Sequence, residues 1–133
     1  MLKHHRGPDP DVIAPDGIEI RYLVDRPQGA RGLSMSEGTL KPHQRSAKMF
    51  HATYEEIWYI LRGVGVFHLH HPTAVEEEAI VVGAGDAVLV SPLDGFWLEN
   101  TGEDDLRFLL CGSPPWGEGQ EVHPWPPRHA PEC

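Results

Sequence analysis

The chain has 133 residues, of which 40% are hydrophobic, enough for one domain with a single core. Its 20 acidic and 11 basic residues give a formal net charge of −9, which argues against partners that present phosphate groups, such as nucleic acid or an anionic membrane. No apolar run approaches the roughly 20 residues needed to span a bilayer, and the first ten residues do not resemble a secretory signal. With only two cysteines, these features predict a cytoplasmic protein.

The order of predicted elements begins with an arm. Residues 1–16 are polar and contain several prolines, which predicts a loose N-terminal segment. Glycines and prolines then divide the sequence into short runs that favour strands over helices. The predicted strands are 18–24, 33–40, 57–61, 64–70, 79–82, 86–90, 96–99 and 106–111. Many short strands at regular spacing predict a barrel or sandwich within residues 17–112.

The C-terminal part of the sequence, residues 113–133, holds six prolines and two tryptophans. Proline interrupts both helices and strand ladders, so this part is predicted to form an extended strap. Trp116 and Trp125 are its candidate anchors against the barrel or a partner subunit, since exposed tryptophans are uncommon in disordered tails. A disordered tail is the alternative.

The middle of the chain, about residues 38–112, resembles the cupin superfamily. The first cupin motif has a glycine, five residues, His-x-His, then a glutamate and a later glycine. At the same spacing, this sequence has His43, the tripeptide 49–51, Glu56 and Gly63. The resemblance implies an all-β double-stranded β-helix, a jelly-roll barrel of two antiparallel sheets.

The second cupin motif runs from a glycine through Pro-x-Gly to a histidine and an asparagine. Here its positions correspond to Gly85, residues 91–93, Phe96 and Asn100. The chain also resembles a group of small bacterial cupins, most of them without an assigned activity. Cupins of this size commonly pair through sheet edges, so the resemblance implies a homodimer.

The sequence departs from the family at the metal positions. Cupins usually hold their metal with three histidines and one glutamate, and two of those histidines are Met49 and Phe96 here. Only His51 and Glu56 remain. The resemblance therefore implies a degenerate metal site, and we expect the protein to have no cofactor. A divalent Zn, Fe, Mn, Ni or Cu ion on His51 and Glu56 is the alternative.

Further histidines bear on that alternative. His68 and His70 share one face of a strand and could complete such a site, as could Gln44. The competing interpretation places both histidines on the outer surface of the barrel.

Strand alternation predicts which side chains face the barrel interior, because residues two apart lie on the same side. An imidazole, His51, and a carboxyl group, Glu56, are therefore expected inside an apolar pocket. Tyr54 and Arg45 lie close to the same strand and are candidates for orienting a polar substrate. The remaining predicted pocket residues are Met49, Trp58, Phe96 and Leu98.

These residues suggest three functions. The first is an isomerase, cyclase or lyase acting on a small molecule, with proton transfer by His51 and Glu56 as catalytic residues. The second is a metal-dependent cupin, such as a dioxygenase, with a reduced ligand set. The third is a non-catalytic module that binds a small ligand in the barrel.

Overall fold

A computed structural model describes residues 2–116 and 122–127 of the chain. The predicted C-terminal strap therefore lies partly outside the described residues. A short 3₁₀ turn, Arg26–Gln28, follows the second strand. The strands of the described residues are β1 (Val12–Ile13), β2 (Glu19–Val24), β3 (Ser34–Leu40), β4 (Met49–His51), β5 (Glu55–Arg62), β6 (Val64–His70), β7 (Glu78–Gly83), β8 (Ala87–Val90), β9 (Gly95–Asn100), β10 (Leu106–Ser113) and β11 (Val122–Pro124).

These strands form two antiparallel sheets. One sheet has the order β1-β2-β3-β10-β5-β8, and the other has the order β11-β4-β9-β6-β7. The predicted all-β double-stranded β-helix is thus confirmed. Among the described residues, no helix has the length and apolar character needed to cross a membrane.

The core lies between the two sheets and follows the alternation of the strands. In β5, Glu56, Trp58 and Ile60 are buried, whereas the residues between them are exposed. The Trp58 ring meets Phe67 edge-on at 4.9 Å and stacks on Phe108 at 5.0 Å between ring centroids. Because each buried aromatic side chain contributes about 2–3 kcal/mol, this cluster joins the sheets into one unit.

The outer face of the six-stranded sheet is unusually apolar. Ile57, Tyr59 and Leu61 project from β5 with 40–47% of their surface exposed, and Leu89 of β8 is 54% exposed. Ile57 and Leu89 lie opposite each other in the β5–β8 ladder. The homodimer expected from the sequence remains a prediction.

The N-terminal segment is more ordered than the sequence predicts. Val12 pairs with Ile20 in a β1–β2 hairpin. The connection turns at Gly17, which has a left-handed φ of 95°. Asp16, next to this glycine, accepts a hydrogen bond from the backbone N–H of Ile18. This Asp-Gly turn closes the hairpin and carries Asp16 to the end of the barrel.

Two turns place non-glycine residues in the left-handed region. His43 and Leu93 have φ values of 63° and 74°, and each follows a proline. Hydrogen bonds from Gln44 N to Lys41 O and from Asp94 N to Ser91 O close the turns. A type II turn requires this conformation at its third position, where glycine is preferred. Both residues occupy glycine positions of the cupin motifs, so these turns keep the left-handed conformation without a glycine.

We expect Leu93→Gly to raise the free energy of unfolding by about 1 kcal/mol, because it removes the cost of a left-handed leucine. Leu93 is 44% exposed, so little apolar burial is lost. Urea denaturation checks the change. Leu89→Gly, in strand β8, is the control and should be destabilising; equal losses in both variants would show that the turn is not strained.

Candidate functional site

A small cavity at one end of the barrel brings three titratable side chains to one place. Asp16, His51 and Glu56 line it, coming from the β1–β2 turn, β4 and β5. The cavity volume is about 20 Å³, room for about one water molecule. The other lining residues are Ala14, Ile18, Ile20, Trp58, Phe96, Leu110, Trp116 and Val122.

His51 is fixed by aromatic contacts. Its ring stacks on Phe96 at 4.8 Å and meets Tyr54 edge-on at the same centroid distance. Its carbonyl oxygen accepts a 2.8 Å hydrogen bond from the N–H of Leu93, in the left-handed turn described above. His51 is only 1% exposed. The imidazole therefore has a defined orientation inside an apolar wall.

Glu56 is buried at the start of the inward-facing series of β5. Burial raises the pKa of its carboxyl group to about 8. The indole N–H of Trp58 faces this carboxyl group and lowers its pKa, although the two groups do not meet full hydrogen-bond geometry. The negative charge of Asp16 raises the pKa further, and a hydrogen bond from Tyr54 opposes it. Glu56 is thus protonated at neutral pH.

Asp16 is the second acid of the cavity. Burial of its carboxyl group raises its pKa to about 6, and the backbone hydrogen bond from Ile18 opposes this rise. Asp16 as a whole residue is only partly buried. At pH 7 this group is mostly ionised, so the cavity holds one carboxylate and one carboxylic acid. Two carboxyl groups with separated pKa values can act as base and acid at the same pH.

Of the eight side chains that the sequence singled out, four line the cavity: His51, Glu56, Trp58 and Phe96. Tyr54 lies against the His51 ring without lining the cavity. Burial and the charge of Glu56 raise the pKa of its hydroxyl above the usual range. Met49 and Leu98 are buried in the core and do not reach the cavity.

Arg45 does not take part in this site. It is exposed, and its backbone bridges to Glu99 of β9, which holds it outside the cavity. The sequence analysis also missed Asp16 and Trp116, which both line the cavity. A signal for Asp16 was available, because an Asp-Gly pair between two β-like runs is a common hairpin turn.

The two candidate accessory histidines lie on the outer face of the five-stranded sheet. His68 stacks on Trp97 with 3.6 Å between centroids and contacts Glu99 at 3.0 Å. His70 Nδ1 lies 2.8 Å from Lys48 Nζ. The inward face of β6 is taken by Phe67 and Leu69 instead. Neither histidine can complete a metal site inside the barrel.

Comparison with known proteins identifies the family. The model of the Cupin domain matches residues 36–112, more than half of the chain. The chain belongs to the cupin family. An uncharacterized protein of Methanocaldococcus jannaschii, MJ1618, is 32% identical over 106 residues, which cover 78% of this chain and 79% of that protein.

Solved structures with the same fold include much larger proteins. The capsular polysaccharide assembling protein CapF of Staphylococcus aureus gives a TM-score of 0.72 at 17% identity, covering 91% of this chain and 32% of CapF. The oxalate decarboxylase of Lactobacillus farciminis, in a formate complex, gives 0.68 at 17% identity, covering 93% and 33%. This cupin therefore spans about a third of either protein. An uncharacterized double-stranded β-helix protein from Klebsiella pneumoniae gives 0.64 at 14% identity, covering 80% and 82%.

The side chains at the cupin metal positions do not fit a metal ion. Phe96 has no donor atom, and its ring covers one face of His51. Met49, opposite Phe96 in the β4–β9 ladder, offers only a weak thioether ligand. Within the described ranges, no group of three or more His, Cys, Asp or Glu side chains could hold an ion. At the cupin metal positions the surviving donors, His51 and Glu56, are too few for the usual three-ligand centre. Asp16 lines the same cavity but does not complete a group that could hold an ion.

Stability should depend on pH through Glu56. The folded protein keeps this proton up to about pH 8, whereas an exposed glutamate has a pKa of 4.5. The folded state binds more protons between these values, so its stability falls as pH rises through this window. Glu56→Gln should abolish most of this slope and be the more stable protein at pH 8 by about 4 kcal/mol, because each pH unit between 4.5 and 8 is worth about 1.36 kcal/mol.

Urea denaturation from pH 5 to pH 9 measures this effect. Asp16 contributes a fall of the same sign at lower pH, since its pKa is raised from 3.8 to about 6. The exposed neighbour Glu55 provides the control, and Glu55→Gln should keep the wild-type slope. Equal slopes in Glu56→Gln and the wild-type protein would refute the raised pKa.

A metal site should be recoverable by restoring the two lost ligands. Because Met49 and Phe96 face each other in the ladder beside His51, Met49→His combined with Phe96→His rebuilds the three-histidine set. We expect this double variant to be stabilised by Mn²⁺ or Zn²⁺, by about 2.7 kcal/mol at free metal a hundredfold above Kd. Thermal unfolding with and without metal measures it. The single variants are controls, and no metal response in the double variant would contradict a preserved cupin geometry.

Proposed function

We propose that this cupin is an enzyme that catalyses proton transfer on a small neutral molecule, in the class of isomerases, cyclases or lyases. The observation that carries the proposal is the shared cavity of Asp16, His51 and Glu56. Its apolar walls separate the pKa values of the two carboxyl groups to about 6 and about 8. One group is then ready to accept a proton at neutral pH, while the other is ready to donate one.

The proposed roles follow from these protonation states. Asp16 is the base that removes a proton from the substrate, and Glu56 is the acid that returns one at a neighbouring atom. His51, held between Phe96 and Tyr54, orients the substrate by hydrogen bonding and is the second candidate for the base. Trp58 and Phe96 supply the flat apolar walls. Proton transfer by positioned groups of this kind accelerates reactions by about 10²–10⁴-fold.

The charge of the cavity restricts the substrate. Among the described lining residues there is no lysine or arginine, whereas two are acidic. A substrate carboxylate would face the charge of Asp16 without a compensating cation, at a cost in a site of low polarity. We therefore propose a neutral, partly aromatic substrate.

Two alternatives remain open to experiment. A metal-dependent cupin would lose activity with a chelator. A non-catalytic binding module would bind ligands without turnover. The cytoplasmic location predicted from the sequence stays a prediction under all three.

The proposal can be tested with 2-indanone, a neutral aromatic ketone with acidic C–H bonds. We expect the wild-type protein to accelerate exchange of its α-protons in D₂O at neutral pH, as followed by ¹H NMR. Glu56→Gln and Asp16→Asn should each reduce the catalysed rate by about 10²-fold or more, because each removes one proton-transfer group. Addition of EDTA should leave the rate unchanged.

Controls separate this outcome from the alternatives. Glu55→Gln should retain full activity, since Glu55 is exposed and faces away from the cavity. Titration of ¹³C-labelled carboxyl groups by NMR provides an independent readout. If Asp16 and Glu56 both titrate below about pH 5, near the unperturbed carboxyl range, the proposed acid–base pair is wrong.

A further inference from the structure

The cavity is too small for any substrate of the proposed kind. Its volume of about 20 Å³ accommodates about one water molecule. The wall must therefore move before a ligand can contact His51 or Glu56. Five of the eleven wall residues belong to strands in long ladders; β10, which supplies Leu110, pairs with its neighbours over seven positions on each side.

Trp116 is the largest of the wall residues that lie outside the strands. It follows the end of β10 and belongs to no strand, yet its side chain is only 8% exposed. Its backbone N–H donates a 3.1 Å hydrogen bond to Ser34 Oγ. The side chain packs against the barrel core and lines the cavity, although Trp116 takes part in no strand ladder. Among the described residues, this hydrogen bond and the burial of the ring are the contacts that hold Trp116 in the wall.

The same hydrogen bond connects Trp116 to the proton-transfer residues. Ser34 Oγ lies 3.5 Å from Tyr54 Oη, and the Tyr54 ring packs edge-on against His51. A hydrogen bond from the Tyr54 hydroxyl also lowers the pKa of the Glu56 carboxyl group. The hydroxyl groups of Ser34 and Tyr54 thus connect Trp116 to the side chains that would contact the substrate.

We propose that the Trp116 indole is a built-in occupant of the ligand site, which leaves when a substrate binds. Its departure would vacate a flat, bicyclic, apolar volume beside Asp16, His51 and Glu56. The ligand class is then a neutral bicyclic or similarly flat aromatic molecule that replaces the indole. This inference rests on the proposed function only for the choice of site, because it concerns binding and not turnover.

Displacement of an internal occupant has a measurable signature. In the wild-type protein, part of the binding free energy is consumed in releasing Trp116. Its apparent affinity is therefore the intrinsic affinity multiplied by the small fraction of molecules in which Trp116 is already released. Trp116→Ala removes this competition. We expect 2-indanone to bind Trp116→Ala about tenfold or more tightly than the wild-type protein, with NMR shift changes centred on His51 and Glu56.

Hydrogen exchange distinguishes an occupant from an ordinary core residue. We expect the Trp116 amide of the wild-type protein to exchange about a hundredfold or more faster than the amides of Phe108 and Leu110, through local opening. Saturating 2-indanone should accelerate it further, since the bound ligand holds Trp116 out. Trp97→Ala, on the outer face, is the matched control and should bind like the wild-type protein.

Three results would overturn the inference. They are exchange of the Trp116 amide only with global unfolding, exchange that the bound ligand does not alter, and equal affinity in Trp116→Ala and the wild-type protein. Binding that displaces Trp116 without catalysed proton exchange would support the occupant and refute the proposed acid–base function. Catalysed exchange with an undisturbed Trp116 would do the reverse.

Discussion

The removal of the Glu56 carboxyl group from water is the constraint on which the rest of the site depends. A carboxylate at this position would have no positively charged neighbour among the cavity residues, so the neutral form is favoured and its pKa rises to about 8. Asp16, with its pKa of about 6, remains mostly charged at neutral pH. Most of the difference between the two acids arises from their surroundings, because the pKa values of an exposed aspartate and an exposed glutamate, 3.8 and 4.5, lie close together.

Aromatic side chains exclude water from the surroundings of His51 and Glu56. Phe96 occupies the position of a metal-binding histidine in the family, and its ring lies on the His51 imidazole at 4.8 Å. Trp58 meets Phe96 at 5.7 Å and continues this wall into the core. Exchanging a ligand for a phenyl ring therefore has two effects: it removes a donor atom, and it lowers the polarity around the surviving imidazole and carboxyl group.

The described residues of the C-terminal segment contact the barrel at several places. Trp116 lines the cavity, while Val122 pairs with His51 in the β4–β11 ladder. Trp125 packs against Gly95 on the outer face, where a side chain larger than glycine would collide with the indole. Lys48 Nζ lies 4.8 Å from the Trp125 ring centroid. The barrel thus holds this segment at its inner and outer surfaces, in agreement with the tryptophan anchors expected from the sequence.

The pattern of short strands in the sequence predicted the barrel. The alternation in β5 placed Glu56 and Trp58 inside, and the spacing of the two motifs placed His51 and Phe96 near them, because a strand has a fixed period of two. The left-handed conformations of His43 and Leu93 went unpredicted, since only the closed turns impose them against the preference of either residue.

The sequence by itself determined an all-β barrel or sandwich and the inward faces of its strands, which follow from short-range periodicity. Its resemblance to the cupin family added the double-stranded β-helix and the loss of two metal ligands. Only the tertiary structure decided that Asp16 joins Glu56, that Trp116 lines the cavity and that Arg45 stays outside it. Asp16 and Trp116 lie far from β5 in sequence, and their positions depend on how distant segments pack over the barrel end. The separation of the carboxyl pKa values was likewise hidden from the sequence, because desolvation is a property of the assembled cavity.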